Sequence, residues 1–157
     1  MKRLYSFGEF RVHTLRETVA EVCIDNTRQI YDYWRQHIAP SPQMQLPDKE
    51  HAVVVLVNTR HRPLGWHLVS MGTLTETAVH PREVLRPVLI GAAHGFILIH
   101  NHPAGDPTPS DADRRVTRNL KEAAKILSLD FLDHVIIGHD LPHQRLPFFS
   151  FREHGLI

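Results

Sequence analysis

The chain has 157 residues, 42% of them hydrophobic and 22% charged, with 18 basic and 17 acidic side chains and a formal net charge of +1. That length and mix suit one soluble globular domain with a buried core. They exclude a membrane-spanning chain, because no apolar run approaches the ~18 residues a span needs.

No signal peptide is read after Met1-Lys2-Arg3, since Ser6, Glu9 and Arg11 interrupt any apolar segment. The single cysteine, Cys23, cannot form an internal disulfide, which suits a reducing cytoplasm. It also rules out a Cys-x2-Cys zinc site, and with it the usual deaminase ligand set. Most of the thirteen histidines read as surface or hydrogen-bonded side chains.

In chain order, Leu4–Val12 has strand character, and Thr14–Cys23 suits a helix as well as an irregular strand. Asp25-Asn26-Thr27 can cap a helix over Arg28–Ile38, with Ile30, Tyr33, Trp34 and His37 as its apolar face. Ala39–Pro47 is a proline-rich linker. Strands follow at Ala52–Asn58 and Leu64–Ser70, joined by a hairpin through Thr59–Arg62, with another near Leu74–Val79. Pro81 starts a helix to about Ala92, which Pro87 should kink. Gly95–Ile99 is a continuously apolar, buried strand. Ser110 caps a helix over Asp111–Leu127 that buries Val116, Leu120, Ala123, Ala124 and Leu127. Strands at Phe131–Gly138 and near Phe148–Phe151 complete a layered α/β domain.

His100 and His102 close the apolar strand, and period-two alternation sends both to one side. Three prolines and a glycine between Pro103 and Pro109 stop any regular element, and Asp113 then sits in the first turn of the next helix. Taken singly, His-x-His is common at strand ends, Asp113 is a helix-dipole partner and Ser110 is an N-cap. Together they place three ligands for one metal. Three protein ligands are what a catalytic zinc keeps, its fourth position left to water.

His100-x-His102-x7-Ser110-x2-Asp113 resembles the JAMM signature of MPN+ (Mov34-type) metalloproteases. Val79 to Glu83, His100 to Ser110 and Leu132 to Gly138 resemble the RadC branch, and the likeness runs from about Ile24 to Ile157. It implies a curved mixed sheet sandwiched by helices, in an MPN (JAB-like) domain at 47–157 preceded by a 1–46 extension with its linker. It implies His100, His102 and Asp113 as zinc ligands, and Glu50, ahead of the run Ala52–Leu56, as general base and then general acid. Ser110 would donate to the developing oxyanion. Without the resemblance, Glu50 is one solvated glutamate among several.

The resemblance further implies cleavage of peptide or isopeptide bonds, the latter often in ubiquitin-like conjugates, so the expected partner is such a substrate. Two departures stand out. No helix-hairpin-helix segment is read, and the loop 139–147 is long. The competing class is a DNA-associated accessory module with a repair role. Against it stand interleaved charges and a pI of about 8.1, below the ~9 usual for a domain held by phosphates. Arg114, Arg115, Arg118 and Lys121 cluster on one helix, which is most simply a solvated face.

Overall fold

A computed structural model describes residues 22–46, 48–72, 79–140, 142 and 145–157. The strand expected over Leu4–Val12, nearly all of Thr14–Cys23 and nearly all of Leu74–Val79 lie outside the described residues.

The elements run α1 (Thr27–Tyr33), a π-helical turn (Trp34–Ile38), a 3-10 turn (Pro42–Met44), β1 (Glu50–Val57), β2 (Pro63–Gly72), α2 (Pro81–Ile90), β3 (Gly95–Asn101), α3 (Asp111–Ile126), β4 (Asp130–Ile137) and β5 (Phe148–Ser150). The five strands form one open mixed sheet in the order β2-β1-β3-β4-β5. Among the described strands, only β3 and β4 pair in parallel. A parallel pair needs a crossover connection, and α3 supplies it.

Both faces of the sheet are covered, so β1 and β3 read as continuous apolar runs and not as alternations. Val53, Val55, Ile97, Ile99 and Val135 pack with Ile30, Trp34 and Ile38 on one face. Val54, Phe96 and Leu98 meet Val84 and Val88 of α2 and Leu120 and Ala124 of α3 on the other. Each fully buried aliphatic side chain contributes about 1.5–3 kcal/mol. The result is the mixed α/β sandwich that the sequence predicts.

The faces of two helices differ in detail from expectation. In α1 and its continuation the buried residues are Thr27, Ile30, Tyr31, Trp34 and Ile38, while Tyr33 is half-buried and His37 exposed. The buried positions follow the ordinary helical period, i, i+3, i+4, i+7 and i+11 from Thr27, so the buried face is rotated to carry Tyr31 and Ile38 where Tyr33 and His37 were expected. The last turn is π-helical, with the Ala39 N–H reaching back to the Trp34 carbonyl at 2.9 Å. In α3, Thr117 joins Leu120 and Ala124 inside, and Leu127 is exposed. Leu127 is the C-cap, where helical periodicity has ended, and Leu129 packs on the core in its place. Helix α2 runs through Pro87, with Pro81 in its first turn and His80 as N-cap.

Candidate metal centre

The site forms where the start of β1, the end of β3 and the start of α3 meet. Antiparallel pairing of β1 with β3 sets Ala52 opposite His100, which brings Glu50 beside the strand end that carries the histidines. Asn101, between the two histidines, fastens this junction. Its Oδ1 accepts from the His51 N–H at 2.8 Å and its Nδ2 donates to the Lys49 carbonyl at 3.1 Å. The third element enters by a capping box. Ser110 Oγ accepts from the Asp113 N–H, and Asp113 Oδ2 accepts from the Ser110 N–H at 2.7 Å and its O–H at 2.6 Å. This reciprocal cap fixes Asp113 at the helix start.

Glu50, His100, His102 and Asp113 each offer an atom, and these atoms all lie within 4.8 Å of one another. His100 Nε2 is 3.1 Å from His102 Nε2, 3.2 Å from Asp113 Oδ1 and 3.8 Å from Glu50 Oε1. His102 Nε2 is 3.6 Å from Asp113 Oδ2. A tetrahedral ion with bonds of about 2.0–2.1 Å holds its donor atoms roughly 3.3 Å apart, so two imidazole nitrogens and a carboxylate oxygen at these separations fit a divalent cation. His102 Nδ1 lies 2.8 Å from the Asp106 carbonyl, which can only accept. Nδ1 therefore carries the proton, and the Nε2 lone pair of the neutral ring faces the cluster.

The electrostatics match this crowding. Burial opposes ionisation of Asp113, but the nearness of the His100 and His102 imidazoles and the hydrogen bond from Ser110 outweigh it and hold the carboxyl far below the usual carboxylate range. Burial likewise opposes charge on His102, yet its contacts with Asp113 and the Asp106 carbonyl raise its pKa above the ordinary value.

All four ligand and base candidates converge. Ser110 is beside them and exposed, with its proton directed at Asp113. Two residues not singled out from the sequence stand directly behind the site. His134 is buried on β4, with Nε2 2.9 Å from His100 Nδ1 and Nδ1 2.7 Å from Thr117 Oγ1. Thr117 is buried on α3. Burial pushes the His134 imidazole well below its usual pKa. The neighbouring Asp133 ties the β4 end of the sheet together: Oδ2 accepts from Ser150 Oγ at 2.6 Å, and Oδ1 accepts from the N–H groups of His134 and Arg152. The available signal was an Asp-His pair inside an otherwise apolar strand, since buried polar groups must be satisfied. His51 is buried too, with its Nδ1 3.0 Å from the Lys49 carbonyl.

A family profile described as the RadC-like JAB domain matches residues 24–156. The chain is 44% identical over 117 residues to a UPF0758 protein of Chlorobaculum parvum, covering 73% of this chain and 50% of that protein. A UPF0758 protein of Chlorobaculum tepidum is 37% identical over 149 residues, 94% of this chain and 60% of its own length. One from Pelodictyon phaeoclathratiforme is 40% identical over 136 residues, covering 85% and 55%. The chain thus spans a little over half the length of these curated relatives. With a profile match over most of its length, this chain belongs to the RadC-like JAB domain family.

Proposed function

We propose that the domain is a zinc-dependent hydrolase of amide bonds, a metallopeptidase or isopeptidase. The supporting observation is the convergence of Glu50, His100, His102 and Asp113 on one point from three elements. His100 Nε2, His102 Nε2 and one Asp113 oxygen would hold the ion. When bound, the metal supplies a positive charge that brings the pKa of a water to about 7 and polarises a carbonyl oxygen.

The chain's own groups carry the rest. Glu50 is only partly buried and has an oxygen 3.8 Å from His100 Nε2, so a water on the open side of the cluster lies within its reach. Its carboxylate takes the proton of the attacking water and returns it to the leaving amine. Ser110 is exposed and lies next to Asp113, so rotation of its O–H away from that carboxylate aims a donor at the developing oxyanion. The substrate is a peptide or isopeptide-linked conjugate.

The test begins with metal content after purification without chelating resin. Wild type should carry one zinc per chain, and His102→Ala should lose it. Glu50→Gln should keep both zinc and fold while hydrolysis of a peptide or isopeptide library substrate falls by about 10²–10⁴-fold. Full metal in His102→Ala would discard the ligand set, and wild-type turnover in Glu50→Gln would discard the base.

A further inference from the structure

We infer that His134 and Thr117 are positioning residues that set the proton on His100 so that its Nε2 lone pair faces the ligand cluster. This rests on the reading of His100 and Asp113 as metal ligands.

From Thr117 to His100 Nδ1 the contacts have one consistent direction. Thr117 Oγ1 lies 2.8 Å from the Asp113 carbonyl oxygen, which has no proton to give. The single hydroxyl proton of Thr117 therefore goes to Asp113, and its oxygen can only accept from His134 Nδ1 at 2.7 Å. His134 consequently carries its proton on Nδ1. In a neutral ring its Nε2 is then an acceptor, and the atom 2.9 Å away, His100 Nδ1, must donate. A neutral His100 with its proton on Nδ1 turns the lone pair of Nε2 to His102, Asp113 and Glu50, which lie 3.1–3.8 Å from that atom. One backbone carbonyl of the first helical turn thus dictates two tautomers through two side chains.

The geometry that builds this path is tertiary. Parallel pairing sets Leu98 opposite His134 and His100 opposite Ile136, so His134 shares the sheet face of His100 and lies under α3. Thr117 is one helical turn beyond Asp113 on the same side of α3. His100, His134 and Thr117 are each 1–2% exposed, so no solvent competes for these hydrogen bonds. The path is closed, because it leaves the cluster at His100 and returns to it at Asp113. A metal-binding imidazole usually donates its second N–H to a carbonyl or carboxylate. Here a neutral imidazole takes that place, which orients His100 without bringing a further negative charge to the site.

The decisive measurement needs neither metal nor variant. Long-range ¹H–¹⁵N correlation of the histidine rings, in metal-free wild type at a pH of about 8 where imidazoles are neutral, reads each tautomer directly. Protons on Nδ1 of both His100 and His134 are expected; a proton on His100 Nε2, with Nδ1 bare, overturns the inference. Thr117→Val keeps shape and removes the hydroxyl, and should weaken zinc binding about 10- to 100-fold in competition with a chromophoric chelator. Thr117→Ser should restore it, as a filler role for Thr117 would not. His134→Gln, whose amide oxygen can accept from His100, should bind better than His134→Leu. Unchanged affinity in Thr117→Val also overturns the inference. Should wild type take up no zinc, the metal reading fails by itself, and the tautomers still decide whether the relay exists.

Discussion

At Ser110 one hydroxyl is divided between structure and chemistry. It accepts from the Asp113 N–H at 3.1 Å and donates to Asp113 Oδ2 at 2.6 Å. The first contact caps α3; the second occupies the proton that an oxyanion would need. Ser110→Ala should therefore cost about 1 kcal/mol of stability as a lost N-cap. Turnover should fall by about 10²–10³-fold as a lost oxyanion donor. Thermal unfolding and the rate on any hydrolysed substrate separate the two effects. A lower Tm with an undiminished rate would leave Ser110 as a cap alone.

Among the elements, the loop 103–109 matters most, because it carries the chain from the two candidate histidine ligands toward Asp113. It is strapped to the end of β4: the His102 N–H donates to the Ile137 carbonyl at 2.8 Å, and the His139 N–H donates to the Gly105 carbonyl at 2.8 Å. Contact this close requires glycine on both sides. Gly105 has φ +90°, and a Cβ there would meet the His139 ring. A Cβ at Gly138 would collide with the Gly105 carbonyl and with Pro107. Gly138→Ala should push the loop outward, at about 1–3 kcal/mol of overpacking. It should also shift the Asp106 carbonyl that fixes His102 Nδ1, so zinc affinity should drop together with Tm. A variant matching wild type in both titration and melting would show that the strap does not position His102.

Across the whole molecule, charge is balanced and no described helix is long and apolar enough to cross a membrane. The basic residues of α3 divide: Arg114, Arg118 and Lys121 line a cavity of about 490 Å³ that Glu122, Phe151 and Leu156 also line. Arg115 is exposed on the same helix. A carboxylate and apolar side chains among these cations do not make a phosphate-tracking stripe. Duplex DNA should accordingly bind at about 10⁻⁴ to 10⁻⁶ M at physiological salt and weaken steeply as salt rises. Fluorescence anisotropy from low salt to 200 mM tests this. Tight binding that persists, and that Arg114→Glu with Arg118→Glu removes, would instead favour the DNA-associated reading.

The layered fold, His100, His102, Ser110 and Asp113 were legible in the sequence because each depends on local geometry. Strand alternation relates the two histidines, and helix capping relates Ser110 to Asp113. Glu50 was legible only by resemblance, since what selects it is the pairing of β1 with β3 across some fifty residues. The face of α1 keeps the helical period but in a rotated phase, with Tyr31 and Ile38 inside, because the docking of the helix on the sheet chooses among neighbouring aromatic and apolar positions; that of α3 follows the period until its C-cap ends it at Leu127. His134 and Thr117 look ordinary in sequence, a histidine in a strand and a threonine in a helix. His134 meets His100, and Thr117 meets His134, because the register of β3 on β4 and the crossover through α3 stack three elements at one spot. The sequence by itself determined the types and local order of the candidate ligands. Tertiary packing alone decided which buried groups stand behind them, because hydrogen-bond partners distant in the chain are chosen by strand register and helix docking.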